Sequence, residues 1–177
     1  MEKVILYGSE YGTAERYARQ LARETGIPVF GYEDAPDLKG CGLVIYFGGL
    51  YAGGVKGLKQ TLKALPMDTK MVLATVGLAD VTDPENILNI RASLRRQVPE
   101  PFLEKAAVFH LRGGIDYDKL SLVHKTMMAM LYQKARRLPE EKKTAEVRAM
   151  IETYNTKVDF VDFGALEPIR SLIDSQK

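Results

Sequence analysis

A chain of 177 residues is long enough for one domain with a full core and short for two. Its 46% hydrophobic and 27% charged residues are ordinary for a globular protein, and a formal net charge of +2 gives no global attraction for nucleic acid. No apolar run approaches the ~20 residues that span a bilayer, the lone Cys41 excludes an internal disulfide, and two histidines are too few for a His-rich metal site. Met1-Glu2-Lys3 leads straight into a strand without a signal-peptide pattern, so a reducing, cytoplasmic setting is expected.

Strand and helix signals alternate, the pattern of an α/β fold around a mostly parallel sheet. A strand is predicted over 3–7 and a helix over 14–25, with Tyr17, Ala18, Leu21 and Ala22 on one face and Gly26 and Pro28 ending it. A short strand follows at Val29-Phe30. Residues 42–47 are almost continuously apolar, as expected of a central strand covered on both faces. Four glycines fall in Gly48–Gly54, implying unusual backbone angles or the close approach of a ligand.

A helix over 55–64, a strand over 70–76 and a turn at Gly77-Leu78-Ala79-Asp80 come next. Thr82 or Asp83 is expected to cap a helix that starts at Pro84 and runs to Val98. Its Arg91, Arg95 and Arg96 read as a solvated face. The fifth strand is predicted over 106–111, followed by an insert over about 112–157. Within it a helix over 119–137 carries the stripe Leu120, Val123, Met127, Met130, Leu131. That stripe suits packing on the domain, a site for a large apolar substrate, or, with its basic end, an anionic membrane surface. Val158–Val161 reads as a strand that continues the fifth, and 163–173 as a closing helix. One domain, 1–177, accounts for the whole chain.

The chemistry concentrates where the first strand meets the first helix. Tyr7-Gly8-Ser9-Glu10-Tyr11-Gly12-Thr13-Ala14-Glu15 places backbone N–H groups and the hydroxyls of Ser9 and Thr13 at a helix N-terminus, a ready anion site. The loop carries no Lys or Arg, so a phosphate here would be held without a formal cation. Gly8 and Gly12 are too close for a Walker loop, and Glu10 breaks a G-x-G-x-x-G fingerprint. No residue stands out as a general acid, base or nucleophile.

Ser9, Gly12, Thr13, Ala14 and Glu15 resemble the FMN-phosphate loop of flavodoxins, in the S-x-T-G-T-A-E form of diflavin reductases. Tyr11 stands where that family usually has a Thr. The resemblance implies a flavodoxin-like three-layer sandwich with a five-stranded parallel sheet in the order 2-1-3-4-5 and an insert interrupting the fifth strand. It implies FMN, with Ser9, Glu10, Tyr11, Gly12, Thr13 and Ala14 at the phosphate. Gly49, Leu50, Tyr51, Ala52 and Gly53 would hold the ring and bond its N5, and Gly77, Leu78 and Ala79 its pyrimidine side. The expected role is electron transfer with a redox partner protein or a small-molecule donor or acceptor.

Gly113-Gly114-Ile115-Asp116-Tyr117 and the Met- and Leu-rich helix after it also resemble flavodoxin-domain relatives of bacterial menaquinone-dependent protoporphyrinogen oxidases. Those oxidases carry a Ser and an Arg where Gly49 and Tyr51 stand. In that alternative, an FMN-dependent oxidase with a quinone acceptor, Arg112, Gly114, Ile115 and Tyr117 are the substrate candidates. A third reading keeps the fold without the flavin.

Overall fold

The computed structural model describes residues 2–51 and 53–175. In chain order it contains β1 (Glu2–Gly8), α1 (Thr13–Thr25), β2 (Val29–Gly31), β3 (Cys41–Tyr51), β4 (Gly54–Val55), α2 (Leu58–Ala64) and β5 (Lys70–Gly77). There follow α3 (Pro84–Gln97), α4 (Glu100–Leu103), β6 (Ala106–Arg112), β7 (Gly114–Asp116), α5 (Leu122–Arg136), α6 (Ala145–Glu152), β8 (Lys157–Asp159) and α7 (Glu167–Asp174).

Five strands pair in parallel in the order β2-β1-β3-β5-β6, the doubly wound order expected from the sequence. Side chains alternate across the sheet with the period of two that an extended chain imposes. Ile5, Leu43, Ile45, Phe47, Val72, Ala74 and Val76 face Tyr17 and Leu21 of α1 and Ile169 and Ile173 of α7. Val4, Leu6, Val44, Tyr46, Met71 and Leu73 face Leu58 and Leu62 of α2 and Leu94 of α3. Each such aliphatic side chain gains roughly 1.5–3 kcal/mol from burial, which is why the central strands carry unbroken apolar runs. Helix ends follow their local signals. Gly26, at φ 71°, closes α1 by donating its N–H to Ala22 O at 2.8 Å. The Asp83 carboxylate accepts the Glu85 N–H at 2.9 Å at the start of α3.

The glycine-rich segment is not a free loop. β3 runs on to Tyr51 and folds back as a hairpin, with Leu50 opposite Val55 and Tyr51 opposite Gly54. A Cβ on Gly48 would stand 2.1 Å from Val55 Cγ1, and one on Gly8 would stand 2.0 Å from Lys56 O. These two glycines therefore admit the returning hairpin itself.

The insert also departs from expectation: it follows the fifth strand rather than interrupting it. Val158, read as that strand's continuation, lies in β8, which pairs antiparallel with β7 in a separate two-stranded ribbon. Ile115 opposite Val158 gives the ribbon an apolar side that packs on Tyr117 and Met128. A Cβ on Gly114 would stand 2.4 Å from Val158 O, so glycine there permits the pairing. Between the two ribbon strands rise α5 and a further helix, α6, which the sequence reading did not anticipate. The predicted closing helix begins as a short 3-10 turn at Phe163–Leu166 before α7.

Candidate functional site

The carboxyl ends of β1, β3 and β5 lie side by side, and the insert covers all three. At the first, Gly12 takes φ 84° with nothing within 4 Å of its Cβ position, so backbone geometry and not space calls for glycine. α1 starts at Thr13 and no side chain caps it. The N–H groups of its first turn have no intrahelical acceptor and carry the positive end of the helix dipole.

A cation does reach this loop, from outside it. Both Lys56 Nζ and His124 Nε2 lie 2.7 Å from the Glu10 carboxylate. The loop's acid is thus offset by the Lys56 ammonium after the hairpin and also meets the His124 ring from α5. The Tyr11 hydroxyl donates to Met128 Sδ at 3.3 Å, and the Tyr51 hydroxyl to Met127 Sδ at 3.0 Å. The two tyrosine rings meet edge to face at 6.1 Å. Burial, then the neighbouring Tyr51 and Glu10, raise the Tyr11 pKa, so its hydroxyl stays protonated.

At the second loop, a Cβ on Gly49 would stand 3.3 Å from Gly8 O, which locks the hairpin against the first loop. Gln97 of α3 holds the hairpin tip by accepting the Val55 N–H at 3.0 Å and donating to Gly53 O at 2.8 Å. Gly53 itself has φ 78°. Ala52 lies outside the described residues.

At the third loop the N–H groups of Leu78 and Ala79 are taken by Glu146 of α6, at 2.7 and 3.2 Å. Leu78 O accepts from Arg112 Nε at 3.1 Å, and Gly77 O from the Gly113 N–H at 2.7 Å. A Cβ on Gly77 would stand 2.6 Å from Glu146 Oε2. Desolvation raises the Glu146 pKa, while the two amides and then the Arg112 charge oppose the rise.

Between the second and third loops and the insert lies a cavity of about 400 Å³, within the range of small-molecule sites. Leu50, Tyr51, Leu78, Ile115, Met128 and Met150 give it an apolar wall, and Glu146 faces it. Of the residues offered to a substrate, Ile115 lines this cavity. Arg112 instead packs over the Phe160 ring at 3.7 Å. Tyr117 is buried against Tyr154, and its hydroxyl forms no hydrogen bond among the described residues. Burial pushes its pKa up to about 12. Among the described residues no group of three His, Cys, Asp or Glu side chains can hold a metal ion, and no helix is long and apolar enough to cross a membrane.

Residues 4–142 match a family model described as Flavodoxin domain. The chain belongs to the flavodoxin-domain family. Among solved structures, a cysteine-to-alanine mutant of flavodoxin from Pseudomonas aeruginosa is 23% identical, over 77% of this chain and 97% of that chain, with a TM-score of 0.40. A cysteine-to-serine mutant of the same flavodoxin is 21% identical over the same shares, with a TM-score of 0.39. No curated protein matches. The family binds a flavin. An uncapped helix start suits a phosphate, and an apolar cavity bounded by the hairpin suits a ring. Glu146 and Lys56 were missed by sequence reasoning, since each acts on a loop far from it in the chain.

Proposed function

We propose that this flavodoxin-family protein binds FMN non-covalently and carries electrons through it. The observation that carries this reading is the adjacency of the uncapped start of α1 to the apolar cavity, both at the carboxyl ends of neighbouring parallel strands. Ser9 to Ala14 would hold the phosphate with N–H groups and hydroxyls, and the Lys56 charge on Glu10 would lessen that carboxylate's repulsion of it. Leu50 and Tyr51, with Gly49 and Gly53 setting the hairpin, would cover the ring. Gly77, Leu78 and Ala79 would bound its pyrimidine side. The bound flavin supplies the redox chemistry; the chain positions it and excludes water. Electrons would pass to a redox protein or a small molecule.

The test is the visible absorbance spectrum of the protein after addition of FMN and desalting. A retained flavin spectrum, lost in the double variant Ser9→Glu, Thr13→Glu, is the expected result. A colourless protein would overturn the reading and favour a flavodoxin fold without flavin.

A second reading is an FMN-dependent protoporphyrinogen oxidase with a quinone acceptor, whose apolar substrate would lie against the methionine- and leucine-bearing wall that the insert gives the cavity. Arg112, its candidate for substrate charges, is engaged by Leu78 O and Phe160. Failure of FMN-loaded protein to oxidise protoporphyrinogen in the presence of a quinone would eliminate it.

A further inference from the structure

Glu146 is the polar feature of the cavity that neither the fold nor the phosphate loop explains. It lies beyond the family match, which ends at residue 142. α6 places it there because the Thr144 hydroxyl caps the helix by accepting the Val147 N–H at 3.3 Å, while Ala145 and Ala149 bury the face against Leu78 and Ala79. Its carboxylate receives one amide N–H on each oxygen. A carboxylate offers about four acceptor positions, so two are left over. Its remaining accessible surface lines the cavity.

No cation among the described residues lies within ion-pairing distance of it. Arg112, whose charge bears on it, gives its Nε–H to Leu78 O. Of the other polar groups around the cavity, both tyrosine hydroxyls go to methionine sulfurs and Gln97 is bonded to Gly53 O, Val55 N and Ser93, while Asn89, Arg96 and Lys134 line it from α3 and α5. A desolvated carboxylate with spare lone pairs calls for a donor.

We propose that Glu146 is the residue that anchors the imide edge of the ring, accepting its N–H, and so selects for a ring with that hydrogen free. This rests on the flavin reading above. The same placement puts a carboxylate beside the ring, which opposes the negative charge gained on reduction and holds the midpoint potential down.

The experiment is a fluorescence titration of wild type and Glu146→Gln with FMN and with 3-methyl-FMN, together with the midpoint potential of bound FMN in each protein. Wild type is expected to bind FMN about tenfold or more tightly than the methylated ring, the worth of a charge-assisted hydrogen bond. In Glu146→Gln one amide oxygen replaces two carboxylate oxygens, so one loop N–H keeps its acceptor and the NH₂, a donor only, stands in place of the other. The side-chain shape is kept, the preference for FMN collapses several-fold, and the potential rises. A purely structural Glu146 would weaken both rings equally and leave the ratio and the potential unchanged, which overturns the proposal. The wild-type ratio alone decides if the variant does not fold: equal affinity for both rings overturns this inference and spares the flavin reading. A wild type that binds neither ring overturns both.

Discussion

The sheet and the insert are built by different means. In the sheet, Ile5, Leu6, Val44, Ile45, Tyr46 and Phe47 have no accessible surface, and burial sets every neighbour. On α5 of the insert, Leu122 is 82% exposed and Val123 76%, while the helix touches the site through single pairs: His124 with Glu10, Met128 with Tyr11, Met127 with Tyr51. One region is a scaffold held by apolar area. The other is a cover held by small apolar clusters around Met128 and Ala149 and by a handful of polar and sulfur contacts. Stability should therefore reside in the first, and ligand selection in the second.

The largest effect should come from the scaffold. Phe47→Ala removes a ring stacked on Tyr17 at 6.5 Å and is expected to cost about 3–5 kcal/mol in denaturant unfolding. Gly48→Ala forces a Cβ into Val55 and should cost on the order of 1–3 kcal/mol while loosening the hairpin, seen as faster amide exchange at Tyr51.

A third, pH-dependent effect belongs to the sheet's edge. Burial, and secondarily the Arg91 charge, lower the His110 pKa from 6.5 to about 4, and its Nδ1 lies 2.7 Å from Thr75 Oγ1. The folded state holds this ring neutral, so the unfolded state binds the extra proton between about pH 6.5 and 4. Stability contributed by neutral His110 is present above that window and is lost as pH falls through it. Unfolding free energies measured across the window should show this slope, and His110→Asn should flatten it.

The smallest effects should come from the cover. His124→Ala should cost only ~0.2–1 kcal/mol, because the His124 side chain is 36% exposed, yet proteolysis within α5 should quicken. Leu122→Ser should change stability by no more than about 0.5 kcal/mol. A large destabilisation by either would erase the distinction between scaffold and cover.

The same contrast decides what was legible in the sequence. Apolar runs at 42–47 and 70–76 declared the central strands, and the Ser9–Thr13 stretch declared the turn into α1. These signals are local. The apolar stripe on α5 was misplaced: Val123 and Met130 are exposed, whereas Met128 and Ala135 are buried. Met, Leu and Ala occur around that whole helix, so hydrophobicity alone did not choose the inner face. The contact between Tyr11 and Met128 spans 117 positions, and that between Leu78 and Glu146 spans 68, distances at which no sequence periodicity speaks. α6 did leave a trace, Thr144 before Ala145 and Ala149 at helical spacing. Nothing in that pattern marked Glu146 as facing a cavity.

The most direct test of a flavin held by the start of α1 is a parallel fluorescence titration with FMN and riboflavin. FMN should bind at least about tenfold more tightly, since only its phosphate can meet the N–H groups of the first turn. Equal affinities would contradict a phosphate site at Ser9 to Ala14.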